Sequence, residues 1–305
     1  MDNLTKLTTE MYNPKSANLD QMSIKEILTL MNEEDTLIPK AIKQILPEIE
    51  KTVEAVCDSI SSGGRLFYTG AGTSGRIGLL DAVECPPTFS TKADLVQAVL
   101  AGGNRAVMVA VEGAEDDEQL AEVEMKERGL TSKDVVIGIA ASGRTPFVKG
   151  ALDYANSLGA TTVSLTSNAN AEISKQVNIA LEVETGPEIL TGSTRLKAAT
   201  AHKMILNMIS TASMVRLGKV YRNLMVDVHA SNYKLKERAK KIVCEATGAD
   251  YETAETVLEE TSFSVKPAIV MLLTHVTYKE ALDLLDGAGG FVRHAVNQTS
   301  QKETM

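Results

Sequence analysis

The chain alternates between short hydrophobic segments and amphipathic segments, and this alternation constrains its fold more than any other feature. The hydrophobic segments are rich in aliphatic and β-branched residues and have the length of strands; they lie at 66–68, 95–100, 135–141, 161–165 and 179–183. Between them, the segments 74–83, 117–128 and 146–158 repeat apolar residues at helical spacing. Strands that are apolar on both faces and separated by helices form a parallel sheet covered by helices, so the pattern predicts an α/β fold.

Helical patterns without strands flank this α/β region. Apolar residues recur every three or four positions over 35–60, where Asp35 is predicted to cap the start of a helix and Pro47 to bend or divide it. A long helix is predicted over 194–217, and several short helical patterns follow it. The predicted domains are an N-terminal helical arm over 1–50, an α/β domain over 51–225, and a small helical subdomain with a tail over 226–305.

A glycine-rich loop, Gly70-Ala71-Gly72-Thr73-Ser74-Gly75, follows the first predicted strand. Parallel sheets bind ligands at the carboxyl ends of their strands. Glycine lets backbone N–H groups approach an anion, the following helix start adds a favourable dipole, and Thr73 and Ser74 add hydroxyl donors. The spacing also fits a dinucleotide site, but Asp94 precedes the second strand, whereas such a site needs an acidic residue after it. A purely structural tight turn is a further alternative.

Similar polar loops follow other strands of the predicted sheet. Ser142 and Thr145 separate the apolar strand that ends at 141 from the next helix. The segment 166–168 (Thr-Ser-Asn) ends the following strand, and 192–194 (Gly-Ser-Thr) precedes the long helix. Each loop alone fits ordinary helix capping. Hydroxyl and glycine residues at successive strand ends of one sheet together indicate a phosphorylated small molecule as the ligand.

Carboxylates and histidines are the remaining candidate groups for chemistry. Glu84 lies just before Pro86-Pro87, which is predicted to end the helix that the glycine loop starts. Glu115 lies in an acidic segment, where it alternatively caps the next helix. Because 40 of the residues are acidic, the pattern alone singles out neither glutamate. No metal-ligand spacing relates the histidines, which are His202, His229, His275 and His294.

Composition limits the partners and the location that we expect. A net charge of −9 disfavours a broad phosphate-backbone footprint, so no nucleic-acid partner is predicted. The polar N-terminus has no secretory signal pattern, and no run of about 18 apolar residues predicts a membrane span. The widely spaced Cys57, Cys85 and Cys244 fit reduced structural thiols. We therefore expect a cytoplasmic protein with a small-molecule partner and no membrane partner.

Long blocks of the chain resemble the N-acetylmuramic acid 6-phosphate etherase family. The resemblance runs from about residue 8 to about residue 296, far beyond a single glycine loop. The blocks that carry it are NPKSANLDQMSIKEILTLMNEED, GAGTSGRIGLLDAVECPPTF, AGGNRAVMVAVEGAEDD, GIAASGRTPFVKGAL, TGPEILTGSTRLKAATAHKMILNMIS and GKVYRNLMVDVHASNYKLKERA.

The resemblance implies a fold and a reaction. The fold is of the sugar isomerase (SIS) type: an αβα sandwich with a parallel, flavodoxin-like sheet, here with N-terminal helices and a small C-terminal helical subdomain. The reaction is a lyase reaction that removes D-lactate from N-acetylmuramic acid 6-phosphate by elimination and hydration, giving N-acetylglucosamine 6-phosphate. The resemblance implies a homodimer and neither a metal nor an organic cofactor.

The resemblance also assigns roles to particular residues. The two functional glutamates of the family fall on Glu84, the predicted proton donor to the lactyl oxygen, and Glu115, the predicted base at C2. The residues predicted to bind the phosphosugar are Gly72, Thr73, Ser74, Ser142, Arg144, Thr145, Glu188 and Ser193. The chain departs from the expected pattern at Ala199 and His202, where Gly and Gln are expected, which affects helix packing near the site.

Two other functions remain open from the sequence. An aldose–ketose isomerase of phosphosugars uses the same phosphate loops and a carboxylate base, but it releases no lactate. A non-catalytic phosphosugar sensor, like the related glucokinase regulatory proteins, has the fold without the lyase chemistry. Retention of both Glu84 and Glu115 favours the enzyme over the sensor.

Overall fold

The structure, a computed structural model, describes residues 7–111, 113–228 and 232–302. These residues form two compact units. The first unit runs up to Val83 and resumes from Asp94 to Ser210; the second takes in Glu84–Ala93 and the described residues from Thr211 onwards. The division predicted from the sequence follows the chain linearly, with boundaries after residues 50 and 225, whereas the second unit here includes an inserted stretch of ten residues, 84–93.

The first unit contains a five-stranded parallel sheet in its described residues. The strands are β1 (Leu66–Gly70), β2 (Val96–Leu100), β3 (Val135–Ile139), β4 (Thr161–Thr166) and β5 (Ile179–Glu182). Their order across the sheet is β2-β1-β3-β4-β5, with every neighbouring pair parallel. This is the flavodoxin-like order of a doubly wound sheet. The predicted α/β fold and its five strands are confirmed.

Helices precede the sheet and alternate with its strands. They are α1 (Ile24–Asp35), α2 (Ile38–Gln44), α3 (Leu46–Ser61), α4 (Gly72–Phe89), α5 (Arg105–Met108), α6 (Glu118–Glu127), α7 (Pro146–Ser157) and α8 (Lys197–Arg216). One face of the sheet packs on α6 and α7 around a mostly aliphatic core that also holds Phe67 and Phe147. The strands β1 and β3 are buried along their whole length, which explains their uninterrupted apolar sequence.

The helices before the sheet differ from the prediction at their first boundary. Asp35 is the last residue of α1 and does not cap a following helix. The helix α1 was not predicted, although Ser23 and Glu26 form a capping box that marks its start. The predicted division at Pro47 is confirmed, because α2 ends at Gln44 and α3 begins one residue before this proline.

The prediction that Pro86-Pro87 ends the helix after the glycine loop is wrong. The helix α4 includes both prolines and continues to Phe89. A proline removes only its own N–H donor, and the residues that follow keep theirs; Ser90 N donates to Pro86 O at 2.9 Å. The helix ends at Phe89, directly before Ser90, which has a positive φ of 50°. Glu84 therefore lies within α4 and not at its end.

The second unit is mainly helical. Its described residues include a two-stranded antiparallel hairpin, β6 (Val220–Tyr221) with β7 (Leu224–Met225). The helices that follow are α9 (Tyr233–Thr247), α10 (Tyr251–Glu260), α11 (Val265–Thr274), α12 (Tyr278–Gly287) and α13 (Val292–Lys302). They bury a separate apolar core, so the short helical patterns in the sequence are confirmed. His229 lies outside the described residues. Across the described ranges, no helix has the length and apolar character needed to cross a membrane.

Candidate functional site

The glycine-rich loop joins β1 to α4 in a very tight turn. A Cβ atom on Gly75 would lie 2.5 Å from the carbonyl oxygen of Gly70, so any larger residue would push the helix away from the strand. Gly72 has a positive φ of 51°, a conformation that glycine adopts without strain. This geometry exposes the first turn of α4, and Gly72, Thr73 and Ser74 line a cavity there.

A second loop, between β3 and α7, reaches the same cavity. Gly143 has a φ of 71°, and a Cβ atom on it would lie 2.4 Å from the Cβ of Ala171. Ser142, Arg144 and Thr145 line the cavity on either side of this glycine. Thr145 occupies the N-cap position of α7, yet its side chain makes no capping hydrogen bond. Its hydroxyl group is therefore not used in ordinary capping and remains available for a ligand.

The cavity has a volume of about 360 Å³ and is polar. It brings together seven residues predicted as site residues: Gly72, Thr73, Ser74, Glu115, Ser142, Arg144 and Thr145. Glu115 lies on a 3₁₀ turn, Ala114–Asp116, directly after Gly113, which has a φ of 81°. Gly192 and Thr194, from the predicted polar loop 192–194, also line the cavity, as do Asp116 and Glu10, which the sequence did not predict as site residues.

The loop before α8 supplies different residues to the cavity from those that were predicted. Gly192 and Thr194 line the cavity, but Ser193 is not among its lining residues. Glu188 is fully buried, and its two carboxylate oxygens accept hydrogen bonds from the backbone N–H groups of Lys197 and Ala198, each at 3.0 Å. Burial raises the pKa of the Glu188 carboxyl above its usual value, and these two hydrogen bonds oppose the rise. In this structure Glu188 caps the start of α8.

The N-terminal segment reaches the cavity through the end of β4. Thr8 N and Thr8 Oγ1 donate to Asn168 Oδ1 at 2.7 and 2.9 Å, and Asn168 Nδ2 donates to Thr9 Oγ1 at 3.2 Å. Asn168 Nδ2 also donates at 2.9 Å to the carbonyl oxygen of Ala141, which lines the cavity. This docking leaves no local signal in the sequence, because the segment has no periodicity and its partners lie about 160 residues away.

A buried ion pair anchors α1, which follows the N-terminal segment, to the start of α8. Lys197 Nζ donates to Glu34 Oε2 at 2.7 Å, and both side chains are almost completely buried. Lys15 Nζ donates to Glu34 Oε1 at 2.8 Å, and Asn13 Nδ2 donates to Glu34 Oε2 at 3.1 Å. Burial pushes the pKa of the Glu34 carboxyl upwards, but the hydrogen bonds and charges of Lys15 and Lys197 outweigh it and hold the pKa below its usual value. Glu34 is therefore ionised and links α1 to the start of α8.

Curated relatives match the chain over nearly its full length. A protein of Geobacillus sp. (strain WCH70) named N-acetylmuramic acid 6-phosphate etherase is 59% identical over 293 residues, which cover 96% of this chain and 99% of the relative. A protein of Bacillus mycoides (strain KBAB4) with the same name is also 59% identical, over 96% of this chain and all of the relative. The chain belongs to the N-acetylmuramic acid 6-phosphate etherase family.

Domain models and a solved structure agree with this etherase fold. Residues 48–156 match the glucokinase regulatory protein N-terminal SIS domain, and residues 109–212 match the SIS domain. Phosphoheptose isomerase from Neisseria gonorrhoeae is similar in structure with a TM-score of 0.50 and 16% identity, over 63% of this chain and 98% of that chain. At this identity the likeness concerns the fold alone, and it confirms the predicted SIS-type architecture.

Glu84, the other glutamate that matches the etherase pattern, lies in the second unit. It is exposed on α4 and lines a cavity of about 560 Å³ together with Pro86, Pro87 and Arg238. Glu84 thus lines a cavity of the second unit, and Glu115 lines the hydroxyl-rich cavity of the first. The assigned role of Glu84 stays a prediction.

His202 stands where the etherase pattern has Gln, and the structure buries it completely. Its Nε2 atom lies 3.1 Å from Ser167 Oγ, and burial lowers its pKa to about 4. The imidazole is therefore neutral near pH 7. It is not among the cavity-lining residues, although Ser167 neighbours Asn168, which contacts the cavity loop. Within the ranges that the structure describes, no group of three His, Cys, Asp or Glu residues is arranged to hold a metal ion.

Proposed function

We propose that the protein cleaves the D-lactyl ether of N-acetylmuramic acid 6-phosphate and releases D-lactate and N-acetylglucosamine 6-phosphate. The observation that carries the proposal is the identity of 59% over 96% of the chain to curated etherases. The cavity supports it independently, because two helix N-termini and several hydroxyl groups meet there beside carboxylates.

The hydroxyl-rich part of the cavity is suited to the 6-phosphate. The N-termini of α4 and α7 both open into it, and the partial positive charge at a helix N-terminus favours an anion. Thr73, Ser74, Ser142 and Thr145 supply hydroxyl donors, and Arg144 supplies a cation. In this proposal these five residues hold the phosphate. They thereby fix the position of the ring-opened sugar relative to the carboxylates.

The chemistry that we propose is elimination followed by hydration. In the ring-opened aldehyde the C2 proton is acidic because it lies next to the carbonyl group. Glu115 takes this proton, the C3–O bond breaks, and Glu84 gives a proton to the departing lactyl oxygen. Water then adds across the C2–C3 double bond, with its hydroxyl group on C3 and a proton on C2, and the ring closes. Each positioned acid or base contributes roughly 10²–10⁴-fold to such a reaction.

The two glutamates have different support. Glu115 lines the same cavity as the hydroxyl loops, so a phosphosugar held by those loops has a carboxylate within the same cavity. For Glu84 the support is the match of its ECPP segment to the family. Glu188 and Ser193 remain predicted substrate contacts, with the buried capping role of Glu188 as the competing explanation for that residue.

We also propose that the protein is a homodimer and acts in the cytoplasm. In the first unit, α4 and α8 lie side by side, since Asn207 Nδ2 donates to Asp81 Oδ1 at 2.6 Å. Next to this contact, large apolar side chains remain exposed: Leu80 at 50%, Val83 at 53% and Met208 at 37%. We propose that these side chains form one apolar patch that another chain covers. The cytoplasmic location rests on the few, widely spaced cysteines.

The test is incubation of the purified protein with N-acetylmuramic acid 6-phosphate, followed by an assay for D-lactate. Release of D-lactate supports the etherase. Conversion of a phosphosugar to its ketose without lactate would support an isomerase, and binding without turnover would support a sensor. Either of these results would overturn the proposal.

Two variants, assayed in D₂O for lactate release and for exchange of the C2 proton, separate the proposed roles of the two glutamates. Glu115→Gln is expected to abolish both lactate release and exchange of the C2 proton with solvent deuterium, because it removes the base. Glu84→Gln is expected to abolish lactate release and keep C2 exchange, because only the leaving group lacks its proton donor. Glu127→Gln, an exposed carboxylate on α6, is the control and should behave like the native protein. Normal C2 exchange in Glu115→Gln would exclude Glu115 as the base.

A further inference from the structure

Glu10 is a charged residue of the cavity to which the reaction scheme above gives no task. It lies at the end of a 3₁₀ turn, Thr8–Glu10, and lines the cavity together with Glu115 and Asp116. Within the residues that the structure describes, its carboxylate makes neither a hydrogen bond nor an ion pair. An exposed carboxylate without a partner is common on a free surface, but this one faces a ligand cavity.

The backbone next to Glu10 is held firmly in place. Thr9 is completely buried, and Asn168 bonds to Thr8 and Thr9 on one side and to the cavity residue Ala141 on the other. One amide side chain therefore connects the N-terminal segment to the loop that carries Ser142. The position of Glu10 is set by buried hydrogen bonds and not by chance contact of a loose terminus.

The loop before α8 lies close to the Glu10 carboxylate. Glu10 Oε2 would lie 3.5 Å from a Cβ atom on Gly192, which has a φ of 78°. Glycine at this position places bare backbone beside the carboxylate. The carboxylate of Glu10 and the cavity residues Gly192 and Thr194 thus meet at one side of the cavity.

The charge of Glu10 determines what it can contact. An ionised carboxylate only accepts hydrogen bonds, and it repels a phosphate group. The hydrogen-bond donors of an N-acetylated sugar phosphate are its hydroxyl groups and its amide N–H. We propose that Glu10 is a substrate-binding residue that accepts a hydrogen bond from a hydroxyl or amide donor of the sugar. This inference rests on the proposed function, since it takes the occupant of the cavity to be a phosphosugar.

The inference predicts that Glu10 separates phosphosugars from free phosphate. Among the lining residues that the structure describes, Glu10, Glu115 and Asp116 face a single cation, Arg144, so the carboxylates disfavour a bare anion. In a phosphosugar, the hydrogen bonds of the sugar offset the repulsion between the carboxylates and the phosphate. Inorganic phosphate has no such hydrogen bonds. Removal of the Glu10 charge should therefore weaken phosphosugar binding without weakening the binding of inorganic phosphate.

The experiment compares Glu10→Gln and Glu10→Ala with the native full-length protein by calorimetric titration. N-acetylglucosamine 6-phosphate and inorganic phosphate are the two ligands. We expect the Kd for the phosphosugar to rise about tenfold in Glu10→Gln and at least as much in Glu10→Ala, because a charge-assisted hydrogen bond is lost. The Kd for inorganic phosphate should stay the same or fall. Asp20→Asn, an exposed carboxylate on the same segment outside the cavity, is the matched control and should leave both Kd values unchanged.

The outcomes distinguish this inference from the proposed function. Unchanged phosphosugar binding in both Glu10 variants, or equal weakening of both ligands, would overturn the role of Glu10. A thermal unfolding midpoint equal to that of the native protein shows that a binding loss is not a folding defect. If the native protein binds the phosphosugar but releases no D-lactate, the etherase proposal fails while the binding comparison still decides the role of Glu10.

Discussion

His202 is a titratable side chain that the fold removes completely from water. In the unfolded chain a histidine has a pKa of about 6.5, whereas burial lowers the pKa of His202 to about 4. As the pH falls through about 6.5, the unfolded chain takes up a proton and the folded protein does not. Folding stability is therefore lost as the pH falls from about 6.5 towards 4.

We expect this histidine to make the protein less stable in mild acid. Between about pH 7.5 and about pH 5 it should lower the free energy of unfolding by roughly 2 kcal/mol. Urea unfolding of the native protein and of His202→Gln at both pH values measures this effect. The variant, which restores the residue of the family pattern, should lose about that much less stability between the two pH values. Equal losses in both proteins would contradict a neutral buried His202.

At the residue scale, the sequence predicted the loop hydroxyls better than the acidic groups. Ser142 and Thr145 were found because a strand, a small polar turn and a helix start form a local pattern that is visible within a few residues. Glu10 and Asp116 have no local signal, because their place in the cavity depends on docking between distant segments. Glu84 and Glu115 stood out only through the family resemblance.

The start of α8 depends on an ion pair with α1 that lies out of solvent. Lys197 uses its backbone N–H to bind Glu188 and its Nζ to bind Glu34, and it is 2% exposed. Replacement by Met keeps the length of the side chain but leaves Glu34 buried with fewer partners. We expect Lys197→Met to lower the free energy of unfolding by about 3 kcal/mol, because a buried charge loses its counter-ion.

Lys203→Met is the matched control, since Lys203 is exposed on the same helix. It should change the free energy of unfolding by less than about 0.5 kcal/mol in the same urea experiment. Adding Glu34→Gln to Lys197→Met should recover part of the loss, because the uncompensated charge is then removed. A loss below about 1 kcal/mol for Lys197→Met would contradict an essential ion pair.

At the element scale, periodicity predicted the sheet and most helices. The errors concern where helices begin and end, and they come from the interpretation of single residues. The strands were predicted because burial on both faces leaves an apolar run in the sequence. Pro86-Pro87 was read as a stop signal, but backbone donors after the prolines sustain α4 as far as Phe89. The capping box of Ser23 and Glu26 was a readable signal for α1, and the apolar residues Ile24, Ile27, Leu28 and Met31 follow it at helical spacing.

At the scale of the whole molecule, the exposed apolar face of α4 and α8 predicts self-association. We expect the native protein to sediment as a dimer and Leu80→Asp to sediment as a monomer, because a buried charge at such an interface is not compensated. Val123→Asp is the control, since Val123 is equally exposed, at 50%, but lies on α6. Equilibrium sedimentation measures both. A Leu80→Asp variant that remains a dimer would exclude this face as the interface.

The docking of the N-terminal segment has a consequence for the order of events during synthesis. Thr8 leaves the ribosome 160 residues before its partner Asn168, and the anchor Lys197 follows later still. Contacts at such long sequence separation close late, because the intervening chain must first be ordered. The part of the cavity wall that Glu10 provides is thus synthesised well before the residues it docks against, so a nascent chain acquires a complete cavity only after α8 has begun to emerge.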